Sequence, residues 1–142
     1  MSRKIIDGHI DLESLYMTEL PSFLRNVEVD GEFNCAYNRL KTLKNSPRYA
    51  THFYCMANEL TSLEGGPTKV ADWYDCRWNK LTNLKGAPRI VDGTFICSVN
   101  MLDTLEGLPE IIKGSLHIAN NSRQFTEKEI RAVCEVIGRV YV

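Results

Sequence analysis

The chain has 142 residues and a formal net charge of −1, with 17 Lys and Arg set against 18 Asp and Glu. Its 44% hydrophobic and 25% charged residues are ordinary for a soluble domain, and its length is enough for one domain, residues 1–142, with a continuous core. The slightly acidic balance argues against generic nucleic-acid binding, which needs a basic surface. No run approaches the ~18 apolar residues of a membrane span. The opening MSRKIIDGHIDLE has no apolar segment of a signal peptide. The expectation is therefore a cytoplasmic protein whose five cysteines are reduced thiols.

Cys35, Cys55, Cys76 and Cys97 follow one another at 20, 21 and 21 residues, each with an asparagine three positions on: Asn38, Asn58, Asn79 and Asn100. A fixed period of that length marks a solenoid built from one copied unit. Val91–Ile111 sets the frame, with Val91 at position 1, Gly93 at 3, Phe95 at 5, Cys97 at 7, Asn100 at 10, Leu102 and Leu105 at 12 and 15, Gly107 at 17 and Pro109 at 19. The frame divides the chain into repeats of about 6–28, 29–48, 49–69, 70–90, 91–111 and 112–125.

The first repeat is the edge of the solenoid. Leu12 and Leu15 stand there in place of Cys and Asn, and charges crowd ESLYMTELPSFLRN. Position 1 then falls on Val29, Tyr49, Val70 and Val91. Position 5 collects Phe33, Phe53, Tyr74, Phe95 and Leu116. Apolar residues at 5 and 7 alternating with polar ones at 4 and 6 specify a short strand with one buried face. Stacked copies give a parallel sheet of about six strands, roughly 25 Å across at ~4.8 Å per strand. The asparagines have donors and acceptors to satisfy a partly buried backbone, alone or as a ladder. Leucines at 12 and 15 fill the interior, and Gly and Pro force a tight return. A 21-residue unit leaves no room for a long helix, so the convex side is irregular or 3₁₀-like. In the tail, Thr126 and Glu129 form a capping box. Ile130, Val133, Cys134, Ile137, Val140 and Tyr141 recur at helical spacing, which predicts a capping helix over about 127–141.

The block Phe33-x-Cys35-x-x-Asn38-x-Leu40-x-x-Leu43 resembles the LxLxxNxLxxL core of leucine-rich repeats. Asn58-Glu-Leu-Thr-Ser-Leu63 and Asn79-Lys-Leu-Thr-Asn-Leu84 are similar to the NxLTxL of the short bacterial subtype, found in secreted effectors of pathogens. Leu63-Glu-Gly-Gly-Pro67 and Leu84-Lys-Gly-Ala-Pro88 resemble repeat proteins encoded by tailed phages. The resemblance covers roughly residues 6 to 121. It implies a leucine-rich-repeat solenoid used as a binding scaffold, and a phage-encoded factor that binds and modulates a host protein in the host-cell cytoplasm. The Leu-Pro-x-Leu-Pro return and an appended enzymatic domain of the effectors are missing, so no ligase activity is implied.

No catalytic motif is legible, and the expectation is a non-enzymatic protein with no cofactor. One cysteine per turn with no paired ligand a few residues away does not make a zinc site. Stacked Cys Cβ vectors run parallel, which disfavours disulfides, so the column reads as small apolar core. His9, His52 and His117 are lone strand histidines without catalytic partners. The outward positions 4, 6, 8 and 9 carry the functional expectation. Both tryptophans fall at such positions in the fourth turn, beside Tyr54, Met56, Arg77 and Tyr37. Trp, Tyr and Arg dominate interface hot spots. Trp73, Tyr54, Trp78, Tyr37 and Met56 are therefore the expected anchors for another protein, with Arg77, Asp75, Glu32 and His52 setting specificity. Trp78, next to the bend, also fits a core position. Two other uses of the same surface are a homo-oligomeric structural role and, disfavoured by the charge, stacking on single-stranded nucleic acid.

Overall fold

The computed structural model describes residues 3–142. The chain winds as a parallel β-solenoid of about seven turns with an irregular convex side. Each turn contributes to two ladders. The flank ladder runs through β1 (Lys4–Asp7), the first part of β3 (Val27–Asn34), the first part of β4 (Tyr49–Tyr54), β5 (Lys69–Val70), β7 (Ile90–Val91), β9 (Ile111–Ile112) and β11 (Glu135–Val136). The concave ladder runs through β2 (Ile10–Asp11), the ends of β3 and β4, β6 (Tyr74–Asp75), β8 (Phe95–Ile96), β10 (Leu116–His117) and β12 (Val140–Tyr141). Every pairing is parallel, and β3 and β4 join the two ladders into one sheet.

The columns of the repeat become the core. Phe33, Phe53, Tyr74 and Phe95 are fully buried and stack at centroid distances of 5.5, 5.2 and 5.2 Å. Leu40, Leu60, Leu81 and Leu102 form a second buried column, each worth about 1.5–3 kcal/mol relative to exposure. Cys35, Cys55, Cys76 and Cys97 form a third and carry no disulfide. Burial pushes the Cys35 thiol up to about 12, and the Cys76 and Cys97 thiols donate to the carbonyls of Ile96 and His117 in the next turn. Protonated and packed, they fill the interior as small apolar side chains.

The asparagines are clamps between turns rather than a side-chain ladder. Asn79 Nδ2 donates to the carbonyl of Cys76 in its own turn at 3.0 Å and to that of Cys55 in the preceding turn at 3.1 Å. Its Oδ1 accepts from the Leu60 amide at 3.0 Å. Asn58, Asn100 and Asn121 repeat this pattern one turn apart. Asn38 serves the first turn, which has Leu15 at the clamp position, by accepting from the Leu15 and Met17 amides. The residue before each clamp is left-handed: Tyr37, Ala57, Trp78, Val99 and Asn120 have φ between 54° and 60°. That conformation turns the chain so that the asparagine dives inward while its predecessor points out.

Two expectations are corrected. The frame puts Tyr49 at position 1, but the ladder puts Ala50 there, opposite Val29 and Val70. The short third turn lacks the residue at position 3, so its strand runs unbroken and a register shift lies between Val29 and Glu32. The second difference is in the tail. The capping box at Thr126 and Glu129 is present, with Ile130 buried, but the helix spans only Glu127–Val133. From Cys134 the chain is extended, and β11 and β12 pair with β9 and β10 as a partial further turn. Val133, Ile137 and Tyr141, which helical spacing put on the apolar face, are 58%, 63% and 44% exposed. Val136, Gly138 and Val140 instead match Ile112, Gly114 and Leu116, with the Gly138 amide donating to the Gly114 carbonyl at 2.8 Å. Ladder hydrogen bonds outweigh a helix of β-branched residues interrupted by glycine.

Candidate functional site on the concave face

Alternation along the concave strands sends positions 4, 6 and 8 outward, and the left-handed turn presents position 9. Tyr37, Trp73 and Trp78 are 46%, 42% and 45% exposed; Tyr54, Met56, His52, Glu32 and Arg77 are half-buried. Trp78 is thereby a surface residue and not core. Asp75, expected on the surface, is 1% exposed, and Ile96 beside it 5%. Strand alternation fixes the direction of a side chain but not its depth. A short carboxylate between longer neighbours sinks beneath them.

Asp75 is held by Arg77. Arg77 Nη2 lies 3.0 Å from Asp75 Oδ2, and the Arg77 amide donates to Asp75 Oδ1 at 3.2 Å. Burial raises the Asp75 pKa above the usual carboxylate range, and the Arg77 bonds work against that rise. This pair, with its carboxylate buried and its guanidinium half-buried, stands between two aromatic groups. On one side, His52 stacks on Tyr54 at 6.1 Å, Asp72 Oδ2 lies 3.8 Å from His52 Nε2, and Glu32 is the cross-strand neighbour of His52. Trp73 stands with them and makes no ring contact among the described residues. Burial first, then Glu32, Asp75 and Asp72, raise the Tyr54 phenol. On the other side, Tyr37 meets Trp78 edge-on at 6.4 Å, and the Arg77 guanidinium lies 5.5 Å over the Trp78 ring.

The single aromatic cluster expected around the fourth turn is therefore two groups joined by an ion pair. His52 Nδ1 and Arg77 Nε are shielded from solvent and have no hydrogen-bond partner. Sequence reasoning missed Asp72. It occupies position 3, where Gly31, Gly93 and Gly114 stand in other turns, and this departure was the available signal. It also missed the His117–Tyr141 stack, centroids 4.4 Å apart, which exists only because the tail forms a strand.

Comparison with protein-family models, with curated proteins and with solved structures finds no match to this chain. Its chemistry is therefore read from the face itself. Among the described residues no group of three His, Cys, Asp or Glu side chains could hold a metal ion. No helix among them is long and apolar enough to cross a membrane. A second concavity, about 630 Å³, lies on the flank between Pro67 and Pro88, floored by Ala87 and Ile90 and rimmed by Lys69, Arg89 and Lys113.

Proposed function

We propose that the chain is a non-enzymatic protein-binding module that engages another protein through its concave face. The observation that carries this reading is the layout of that face. Exposed Trp73, Trp78 and Tyr37, with half-buried Tyr54 and Met56, surround a half-buried Arg77 anchored on the buried Asp75. Hot spots have this composition, aromatic anchors around a guanidinium held in place by a buried carboxylate. Asp75 acts from below by fixing Arg77, and Glu32 and His52 set specificity at one edge. From the resemblance of the repeat motif to phage-encoded proteins, we further propose that the partner is a protein of the bacterial host and that binding modulates it in the host cytoplasm.

The test is affinity capture from a bacterial lysate with the wild-type chain, with Trp73→Ala, and with a triple variant of Trp73, Tyr54 and Arg77 to Ala. Trp73→Ala loses the partner while circular dichroism and urea unfolding stay unchanged. Retention of the partner by the triple variant refutes the reading. The same exposed aromatics favour self-association as the second reading, and sedimentation of the purified chain separates the two.

A further inference from the structure

We infer that the segment seated on this face is cationic: a Lys- or Arg-bearing peptide or loop of the partner protein, its charged end placed against Trp73 and Tyr54 with Glu32 and Asp72 as counter-ions. The inference rests on the concave-face reading and adds the chemistry of what the face takes.

Its ground is an imbalance of charge local to that face. Asp11, Glu13, Glu32 and Asp72 line its N-terminal half, with Asp75 buried beneath them. Arg77 is the guanidinium among them, and it is committed to Asp75 at 3.0 Å. Asp72, about half exposed, has an imidazole 3.8 Å away as its ion-pair neighbour, and the Glu32 carboxylate has no ion pair among the described residues.

The aromatics select among cations. Trp73 offers a half-exposed indole free of ring partners, and Tyr54 stands one strand away on the His52 ring. A cation over an indole or phenol is held by the ring quadrupole, most strongly over Trp, and its alkyl stem packs on the same ring. A neutral segment covering Glu32 and Asp72 would desolvate two carboxylates without compensation, and an acidic one would add repulsion. The face thus discriminates by sign as well as by shape.

Selection from a random linear peptide library on the immobilised full chain tests the inference, with recovered peptides synthesised and titrated by fluorescence anisotropy. Peptides that depend on Trp73 are expected to carry a Lys or Arg whose replacement by Gln weakens binding about tenfold. Glu32→Gln combined with Asp72→Asn weakens them by a similar factor, with unfolding curves unchanged, and the difference shrinks as salt rises. Two results overturn the inference and leave the concave face standing: Trp73-dependent peptides without a cation, or basic peptides indifferent to the Glu32/Asp72 double variant. Peptides unaffected by the Trp73, Tyr54 and Arg77 triple variant remove the concave face itself, and a library that yields no binder counts against both.

Discussion

Replacing Asn79 by Ala isolates what one clamp contributes. The three carbonyls it serves are not orphaned, because the Cys55 carbonyl also accepts from Asn58, the Cys76 carbonyl from Asn100 and the Arg77 carbonyl from the Ala57 amide. The Leu60 amide has no such reserve. It donates to Asn79 Oδ1 at 3.0 Å in a buried setting and loses its acceptor outright. An orphaned buried donor costs about 1–3 kcal/mol. Three weakened carbonyls and a small void add to that, so a loss of about 2–4 kcal/mol is expected from urea unfolding followed by tryptophan fluorescence. Asn79→Asp is the sharper variant. It restores the acceptor but aims a carboxylate at three carbonyl oxygens, so at neutral pH it destabilises more than Ala. Its penalty shrinks on acidification, as the protonated carboxyl regains a donor. A loss below about 0.5 kcal/mol for Asn79→Ala, or an Asp variant insensitive to pH, would refute the clamp account.

Other variants probe other parts of the fold. Gly107→Ala places a Cβ against the backbone of Leu84 and Lys85 at a φ of +87°, so about 2–4 kcal/mol should be lost; Gly65→Ala, at φ +86° but with its nearest neighbour 3.2 Å away, should lose less, mainly the left-handed strain of about 1–2 kcal/mol with a tight contact that a small shift relieves. Equal losses would mean that close approach is irrelevant. In the tail, Val136→Glu should cost about 3 kcal/mol or more and Ile137→Glu close to nothing, since the first is 5% exposed and the second 63%; a continuous helix, which would bury Ile137, predicts the reverse. Hydrogen bonds from Arg123 and from the Thr126 amide hold the Glu129 carboxyl at about 2, below its ordinary 4.5. A depressed carboxylate stabilises above its unfolded pKa, so this contribution is full at neutral pH and fades as pH falls from about 4.5 to about 2. The protection factor of the Ile130 amide, its exchange relative to the intrinsic rate at each pH, should fall over that window in the wild type and not in Glu129→Gln; matching profiles would show that the pair does not hold the helix.

The columns were legible because each recurs with one chemical type at one spacing. The aromatic stack, the leucine columns and the asparagine positions needed no more than counting. Where counting ran out, the physics was ambiguous in the sequence. A 20-residue step between Cys35 and Cys55 shows that one residue is missing from the third turn, not where. The missing glycine at position 3 marks the place, and shifts the frame from Tyr49 to Ala50. In the tail, Ile130 and Cys134 suit a helix while Val136 and Val140 suit a strand. Only the open ladder of the sixth turn decides between the two periods. On the concave face, strand alternation located Trp73, Tyr54 and Arg77 correctly. It could not foresee that Asp75 would lie beneath its neighbours, nor that Asp72 would stand beside His52.

The left-handed corner before each clamp carries Tyr37, Ala57, Trp78, Val99 and Asn120, and no glycine. Glycine is the relaxed occupant of that conformation; any other side chain there raises the energy of the fold by about 1–2 kcal/mol. The corner therefore works as a display socket. The clamp behind it holds the backbone whatever residue stands in front, and the surface chemistry can be exchanged turn by turn without disturbing the columns. Stability and recognition are set against each other at this point. A glycine at position 78 would leave a firmer solenoid that has lost one of its two tryptophans.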